Sequence, residues 1–314
     1  MICPICGSAI KIVKELKKEY IINNLLKYFD EENRNKIFLD SLNIIDYDLV
    51  KCKNCQLEFA DPLQPGSNNF YSWITEYPIY YPEKRWEWQE TINKIENEKK
   101  GNIELLEVGC GSGIFLEMLQ DKKDIKAIGL DTTPESVEKC KQKKLEVYCQ
   151  DLNDYKKNFD KKFDYIVAFH CLEHVPDPKN LIRSMLEVLK PNGKLFISTP
   201  YSPLIFEPLW FDPQNHPPHH MTRWNNKSYQ ELANQLKLNV SFFSPPADSA
   251  LKRTIYTLNL FWNSRSNLES PARVLIRALK NPVFSFKEFI RQTKRNKING
   301  RVASNVILVK LNRK

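Results

Sequence analysis

The segment that most constrains the fold of this chain is an apolar run that ends in three glycines. Residues 103–108 are apolar enough to form a buried strand, and Gly109, Gly111 and Gly113 follow before a helical pattern begins. Glycine adopts backbone conformations that other residues avoid, and it lets a ligand approach the positive end of the following helix. This order of strand, glycine turn and helix predicts a nucleoside-binding edge in an open, mostly parallel sheet.

Two acidic residues narrow the type of ligand. Asp131 ends the next apolar strand, residues 125–130, where its carboxylate can accept hydrogen bonds from both ribose hydroxyls. Glu107 lies at the mouth of the first strand, where it would repel a pyrophosphate but suit a cation. A dinucleotide fingerprint also needs its third glycine one place later, where this chain has Ile114. The pattern therefore predicts S-adenosylmethionine as the ligand and not a nicotinamide dinucleotide.

These residues resemble the class I S-adenosylmethionine-dependent methyltransferases. The run from Glu107 to Gly113 is similar to the first motif of that family, and Asp131 is similar to its ribose acid. The family carries a further acid near the adenine after its third strand, and residues 145–152 fit this element. The resemblance implies this set of cofactor-binding residues: Glu107, Gly109, Gly111, Gly113, Asp131, Asp151 and Leu152.

Later segments extend the resemblance along the chain. Residues 163–178 are similar to the fourth strand and the segment after it, and residues 189–200 to the turn and fifth strand. The similarity runs from about residue 100 to 245 and resumes near residue 304. Several elements in the family's order and spacing are a stronger indication than the glycine turn alone.

Two C-x2-C pairs mark the N-terminal part of the chain. Cys3 and Cys6 form the first pair, and Cys52 and Cys55 form the second. Each pair can place two thiolates on one face of a tight turn, and two such turns complete a tetrahedral Zn²⁺ site. With four sulfur ligands the site would be structural, and reduced cysteines without metal are the alternative. The combination of these two cysteine pairs with the glycine motif resembles a bacterial methyltransferase subfamily that includes sugar methyltransferases.

The resemblance and the cysteine pairs together predict an α/β fold. We expect a doubly wound, Rossmann-like methyltransferase sheet of seven strands, with a small N-terminal zinc-binding segment and a helical insertion before the last strand. The predicted division is a zinc-binding segment with a charged helical insertion (1–62), an aromatic-rich cap (63–100), the S-adenosylmethionine-binding core (101–245), a basic helical insertion (246–303) and the last strand of the core sheet (304–314).

Eight aromatic residues lie between positions 70 and 88. Pro78 and Pro82 interrupt any long helix in this segment. In the enzymes that this chain resembles, the segment covers the cofactor and borders the acceptor, and aromatic faces suit sugar rings and methyl-sulfonium groups. We therefore expect Tyr77 or Tyr81 to face a ligand. The alternative is a packed interface between the zinc-binding segment and the core.

All five histidines of the chain lie between positions 170 and 220. This window spans the ends of the fourth and fifth predicted strands, where doubly wound sheets bind ligands. Methyl transfer to a hydroxyl must lose a proton, and histidine is the natural general base near neutral pH. The candidate catalytic residues are His174, His219 and His220.

Three alternatives remain open for the histidine window. Any single histidine can instead satisfy buried backbone groups. His216, together with His219 and His220, can form a metal site. Arg223, shortly after them, can pair with a phosphate or carboxylate of the acceptor, or form a surface ion pair.

The C-terminal fifth of the chain holds all of its basic excess. Residues 251–314 contain 15 Lys and Arg but 2 Asp and Glu, whereas the whole chain has a net charge of +9. Within it, Val274, Leu275, Ala278 and Leu279 share one helical face beside basic residues. Residues 271–297 fit peripheral contact with an anionic membrane, and they also fit an RNA-binding face. The remaining alternative is a helix packed on the sheet with a solvated basic side.

The function that this pattern favours is methyl transfer from S-adenosylmethionine to a hydroxyl of a sugar or of a lipid- or nucleotide-linked glycan. A zinc-containing RNA methyltransferase and a non-catalytic scaffold are the two alternatives. No apolar run approaches the length of about 20 residues that spans a bilayer, and the first residues do not form a secretory signal. We therefore expect a cytoplasmic protein, with peripheral contact at the inner membrane face as an extension of this prediction.

Overall fold

The structure is a computed structural model that describes residues 2–29, 36–77, 82–98, 101–209, 211–263, 268–295, 297–299 and 301–314. The N-terminal part contains β1 (Ile10–Leu16), α1 (Lys18–Tyr28), α2 (Lys36–Ser41), β2 (Tyr47–Cys52), β3 (Glu58–Asp61), α3 (Asn68–Thr75) and α4 (Trp86–Glu98). The central part contains β4 (Ile103–Val108), α5 (Ile114–Glu117), β5 (Ile125–Asp131), α6 (Pro134–Gln142), β6 (Val147–Cys149), α7 (Leu152–Asn158), β7 (Phe163–Phe169), α8 (Pro178–Val188) and β8 (Leu189–Pro200). The C-terminal part contains β9 (Thr222–Arg223), α9 (Asn226–Gln235), β10 (Leu238–Phe243), α10 (Ala250–Trp262), α11 (Pro271–Lys280), α12 (Pro282–Thr293), β11 (Lys297–Ile298), β12 (Arg301–Val302) and β13 (Val306–Arg313).

Seven strands form the main sheet in the order β10-β13-β8-β7-β4-β5-β6. The strands from β8 to β6 in this order pair in parallel, whereas β13 runs antiparallel to both of its neighbours. Most residues of β4 and β7 are buried, which is typical of central strands in a parallel sheet covered on both faces. The sheet confirms the predicted doubly wound α/β fold.

The direction of strand order changes at β4. The strands β5 and β6 continue on one side of it, and β7 and β8 lie on the other. The loops that leave neighbouring strands diverge at such a point, so a crevice opens at the carboxyl ends of the strands. Because β4 leads into Gly109 and β7 leads into His170, the glycine turn and the first histidine meet at this crevice.

A second sheet joins the N-terminal segment to the core. Its four antiparallel strands have the order β1-β2-β3-β9. Three strands come from the N-terminal segment. The fourth, β9, follows the loop that carries His216, His219 and His220, which we call the histidine loop. Phe59 in β3 pairs with Thr222 in β9. The Ala60 amide also donates a hydrogen bond to the Met221 carbonyl oxygen over 2.8 Å. The N-terminal segment therefore holds the end of the histidine loop directly.

In its described residues, the insertion before the last strand contains three helices, α10 to α12. Its anchor is the loop after β8, because Arg291 donates to the Ile205 carbonyl oxygen over 2.6 Å and Arg295 to the Pro203 carbonyl oxygen over 3.0 Å. Val274 is fully buried in α11, but Leu275 and Leu279 are 42% and 79% exposed. The alternative in which the apolar side of this helix packs on the sheet is therefore wrong for these two leucines. Among the residues described, no helix is both long and apolar enough to cross a lipid bilayer.

Candidate functional site

A cavity of about 1270 Å³ opens at the carboxyl ends of β4, β5 and β7. Its lining brings together residues that are distant in the chain. Of the residues predicted to bind the cofactor, those in the lining are Glu107, Gly109, Gly111, Asp131, Asp151 and Leu152. The predicted catalytic histidines all line it as well: His174, His219 and His220. The cavity is thus the place where both predicted groups of residues meet.

The glycine turn needs glycine for two separate reasons. Gly109 and Gly113 both have a φ of +75°, a left-handed conformation that other residues rarely adopt. A Cβ on Gly109 would also lie 3.0 Å from the Cys171 Sγ. Gly113 is absent from the cavity lining, but a Cβ there would lie 2.5 Å from the Leu145 Cδ1. Gly113 therefore supports the turn from outside the cavity lining, because it allows α5 to pack closely on its neighbours.

The carboxylate of Asp131 connects the glycine turn to the end of β5 through hydrogen bonds. Its Oδ2 accepts a hydrogen bond from the Gly111 amide over 2.8 Å, and its Oδ1 accepts one from the Thr133 amide over 2.9 Å. A carboxylate oxygen can accept a second hydrogen bond, so both oxygens retain capacity for the two hydroxyls of a ribose.

Asp151 and Leu152 mark the junction between β6 and α7. Asp151 caps the helix, because its Oδ1 accepts a hydrogen bond from the Asp154 amide over 2.9 Å. Leu152 is 2% exposed and belongs to the main hydrophobic core. The junction thus offers an acidic residue and an apolar surface at the same side of the cavity.

Glu107 is a buried acid in the lining of the cavity. It is 3% exposed, and its Oε2 has no hydrogen-bond partner among the described residues. Burial, reinforced by the nearby Asp131, raises the pKa of Glu107 well above its ordinary value. An unpaired carboxyl oxygen in a cavity is a preformed partner for a cation such as an ammonium group.

His174, His219 and His220 form a three-histidine cluster. One nitrogen of each ring lies within 4.8 Å of the others. The His174 Nδ1 donates to the His219 carbonyl oxygen over 2.8 Å, and the His219 Nδ1 donates to the Gln214 carbonyl oxygen over 2.6 Å. Because a carbonyl oxygen accepts hydrogen bonds only, Nδ1 carries the proton in these two rings and Nε2 is the basic nitrogen.

The cluster is neutral at physiological pH. Burial lowers the pKa of His174 below its ordinary value, although the charge of Glu173 acts in the opposite direction. Burial lowers the pKa values of His219 and His220 much further, and the neighbouring histidines add to this effect. The Glu173 carboxylate therefore supports a proton gained by His174, and its Oε1 also lies 4.0 Å from the His220 Nε2.

His170 lies between two buried carboxyl groups at the end of β7. Its Nε2 is 2.8 Å from the Glu87 Oε1, and its Nδ1 is 3.2 Å from the Glu173 Oε1. Burial lowers the pKa of His170, but the hydrogen bonds with Glu173 and Glu87 outweigh it, so the pKa is raised. Sequence reasoning missed both acids. Glu173 follows the strand end by a short spacing that could have revealed it, whereas no spacing connects Glu87 with His170.

The aromatic segment divides between the cavity and the N-terminal core. Tyr71 and Trp88 line the cavity. Tyr77, expected to face a ligand, instead stacks on Phe29 with ring centroids 4.1 Å apart. Tyr81, the other candidate of that prediction, lies outside the described residues. The interface alternative is therefore the better description of Tyr77.

His216 and Arg223 do not take the places that the sequence suggested. His216 packs on Phe211 with ring centroids 4.0 Å apart, and the histidine that joins His219 and His220 is His174. Arg223 is 4% exposed and forms ion pairs with Glu58 and Glu207. It is therefore a buried structural cation, and neither an acceptor-binding residue nor a surface ion pair.

The two cysteine pairs converge at the start of β1 and the end of β2. The Cys3 and Cys55 Sγ atoms are 3.6 Å apart, and the Cys6 and Cys52 Sγ atoms are 3.5 Å apart. All four sulfurs lie within 4.8 Å of one another. A tetrahedral zinc site with Zn–S bonds of about 2.3 Å separates its sulfurs by about 3.8 Å, so the four thiols fit Zn²⁺.

The fold and the cavity define a class of protein. A seven-stranded sheet with a glycine turn after β4 and an acid after β5 is the arrangement of class I S-adenosylmethionine-dependent methyltransferases. Residues 82–245 match the family described as a methyltransferase domain, and the chain belongs to that family.

Curated relatives carry the name ubiquinone biosynthesis O-methyltransferase. The relative from Haemophilus ducreyi is 38% identical over 120 residues, which cover 34% of this chain and 50% of that protein. The relative from Proteus mirabilis is 33% identical over 116 residues, which cover 34% of this chain and 47% of that protein. The chain thus spans about half the length of these curated relatives.

Solved structures with a similar fold share little sequence with this chain. A SAM-dependent methyltransferase from Archaeoglobus fulgidus has a TM-score of 0.49 and 16% identity, with 77% of this chain and 99% of that chain covered. The plantazolicin methyltransferase BpumL in complex with SAH has a TM-score of 0.48 and 15% identity, with 79% and 91% covered.

Proposed function

We propose that this protein transfers a methyl group from S-adenosylmethionine to a hydroxyl group. The observation that carries the proposal is a single cavity lined both by the Glu107, Gly109 and Asp131 set and by the three-histidine cluster. The first set can bind the cofactor, and a neutral imidazole can accept the proton of an alcohol. The names of the curated relatives, which are O-methyltransferases, support an oxygen acceptor.

The cofactor residues have distinct roles in this proposal. S-adenosylmethionine supplies the electrophilic methyl group when it is bound. Glu107 receives the ammonium of its amino-acid part, because the buried Oε2 otherwise lacks a partner. Asp131 accepts hydrogen bonds from the ribose, and Asp151 lies at the adenine side with Leu152 as an apolar surface. The glycine turn lets the main chain approach all of these groups closely.

His174 is the general base in this proposal. Its Nδ1 donates to the His219 carbonyl oxygen, so the ring is held with Nε2 as the basic nitrogen. Its lowered pKa keeps the ring neutral and ready to accept the hydroxyl proton at pH 7. Glu173 supports the positive charge that the ring then gains. His219 and His220 position His174 and line the acceptor side of the cavity.

We infer a hydroxyl-rich acceptor, either a sugar or a lipid- or nucleotide-linked glycan. The cavity lining near the cluster is rich in groups that form hydrogen bonds: Asn68, Tyr71, Asp212, Gln214 and Asn215. A purely apolar acceptor would remove water from these groups without replacing its hydrogen bonds, which is costly. A sugar offers several hydroxyls to pair with them, and Tyr71 adds an aromatic face for the ring.

We also propose that Cys3, Cys6, Cys52 and Cys55 hold a structural Zn²⁺. The sulfur separations support this assignment, and four sulfur ligands leave no open position for a reacting water. The metal would hold the N-terminal turn, with Cys3 and Cys6, to the turn between β2 and β3. Because β3 pairs with β9, its role in the reaction would be to support the histidine loop.

The acceptor class is tested with S-adenosylmethionine labelled in its methyl group. The purified protein is incubated with cell extract, which is then separated into lipid, polysaccharide, nucleotide-sugar, RNA and protein fractions. Label in a glycan, lipid or nucleotide-sugar fraction is the expected result, and base-stable label should mark an ether. Label confined to RNA or protein would overturn the proposed acceptor.

The role of His174 is tested by His174→Asn. The asparagine amide can still donate to the His219 carbonyl oxygen but cannot take a proton, so kcat should fall by about 10²- to 10⁴-fold. Binding of S-adenosylhomocysteine should stay within about threefold of the wild type. The matched control is His216→Asn, outside the cavity lining, which should retain turnover. A wild-type kcat in His174→Asn with loss of activity in His219→Asn would assign the base to the loop instead.

A further inference from the structure

The helices α11 and α12 of the insertion expose several large apolar side chains. On these two helices, those with exposed fractions of 42 to 79% are Leu275, Ile276, Leu279, Val283 and Phe286. We call these five residues the apolar face. Single exposed apolar residues are ordinary on soluble proteins, but a group of five on two consecutive helices marks an interaction surface.

The geometry of α11 explains why this face points outward. Val274 is fully buried and holds the helix against its neighbours. Leu275, Ile276 and Leu279 are spaced so that they fall on the other side of the same helix. The helix α12 begins two residues after α11 ends, and Val283 continues the face at its start. The apolar residues are thus a property of the folded unit and not of frayed ends.

The charges around the apolar face have one sign. Arg273, Arg277, Lys280 and Lys287 are exposed beside it. Between residues 270 and 297 the sequence contains a single acid, Glu288, which is 3% exposed and pairs with Arg291. A surface that combines exposed apolar side chains with positive charge is complementary to an anionic bilayer, which accepts both.

We propose that the apolar face docks this protein on an anionic phospholipid membrane. The helices α11 and α12 have 10 and 12 residues, too short to span a bilayer of about 30 Å. They would therefore lie in the interface, with the apolar face among the acyl chains and the basic side chains at the phosphate groups.

Docking would also place the cavity near the membrane. The helix α10 packs on α11 and α12, and its Tyr256 lines the cavity beside Phe206. If the proposed function holds, on which this extension rests, the acceptor is a lipid-linked hydroxyl compound that reaches the cavity along α10. Membrane binding itself does not depend on the reaction, so the two can fail separately.

The proposal is tested by sedimentation of the full chain with vesicles. Vesicles of phosphatidylcholine alone are compared with vesicles of phosphatidylcholine and phosphatidylglycerol, at low and high salt. One variant combines Leu279→Ser, Val283→Ser and Phe286→Ser, and a second combines Arg273→Gln, Lys280→Gln and Lys287→Gln. The matched control, Ile12→Ser with Ile37→Ser, removes apolar residues of 60% and 83% exposure elsewhere. Binding of S-adenosylhomocysteine confirms that each variant is folded.

We expect the wild type and the control to bind the anionic vesicles and not the neutral ones. Loss of three basic residues should weaken the partition on the order of a hundredfold, and the triple serine variant of the apolar face should not bind. Equal binding by all proteins, or no binding by the wild type, would overturn the proposal. A dimer of the wild type that disappears in the serine variant, seen by sedimentation velocity, would assign the face to a second copy of the chain instead.

Discussion

At the scale of single residues, Glu107 shows how burial prepares a site for a cation. Its carboxyl group lies near the end of a mostly buried strand and lines the cavity, with one oxygen unpaired among the described residues. Burial raises its pKa, so the unliganded protein holds it as a neutral acid over more of the pH range than an exposed glutamate. An incoming ammonium would restore its charge, and the proton would be released.

Glu107→Gln should weaken the binding of S-adenosylhomocysteine by about 10- to 100-fold, because a buried charge-assisted hydrogen bond contributes about 1.5–3 kcal/mol. The control Glu138→Gln lies on the exposed side of α6 and should bind as the wild type does. Calorimetry over a range of pH adds a second test. Since the ionised carboxylate is the binding form, wild-type affinity should rise with pH and the variant should lose that slope. An unchanged affinity in Glu107→Gln would remove this residue from the site.

At the scale of elements, strand β9 links the cluster of Cys3, Cys6, Cys52 and Cys55 to the histidine loop. The strand pairs with β3, which starts three residues after Cys55, and it begins two residues after His220. The Ala60 amide fixes the Met221 carbonyl oxygen, so a movement of β3 must move the residue next to the cluster. The four cysteines are thus connected to the histidine loop through β3 and β9.

Cys52→Ser should remove one zinc ion per chain and lower the melting temperature, because a structural site loses a ligand. Turnover should then fall more than cofactor affinity, since β9 supports the histidine loop and the glycine turn lies on the main sheet. Metal content measured by mass spectrometry gives a readout that is independent of activity. The control is Cys149→Ser, which changes an exposed cysteine outside the four-cysteine cluster. Absence of zinc from the wild-type protein would refute the assignment.

At the scale of the whole molecule, buried neutral histidines make stability depend on pH. Burial lowers the pKa of His216 from 6.5 to about 4, whereas an unfolded histidine keeps its ordinary value. The unfolded state therefore binds more protons between these two values, and the free energy of unfolding falls as pH falls through this window. His216 alone should contribute about 3 kcal/mol of this loss. His170 has a raised pKa and acts with the opposite sign, at higher pH.

The free energy of unfolding of the wild type should therefore decline between pH 6.5 and pH 4. Urea denaturation across this range should show a shallower decline for His216→Gln, by about 1.4 kcal/mol per pH unit. A substitution at an exposed position, such as Lys126→Gln, should leave the slope unchanged. Identical slopes for the wild type and His216→Gln would show that this ring is not neutral in the folded protein.

Most of the main fold could be predicted from the chain because its determinants are local. Glycines at fixed spacing after an apolar run, an acid at the end of the next run and two cysteine pairs are short patterns with a direct physical meaning. The resemblance that these patterns carry implied the seven-stranded sheet, and most of the predicted cofactor residues line one cavity. The family match over residues 82–245 covers the same part of the chain.

The sequence by itself determined the strands of the main sheet, the glycine turn and the choice of ligand chemistry, because each depends on neighbours in the chain. Tertiary structure alone decided which distant residues meet. It placed Glu87 against His170, and it brought His174 together with His219 and His220. It also buried Arg223 and left Leu279 exposed. These contacts depend on how separate elements pack, and no local pattern records the side of a helix or strand that its neighbours will cover.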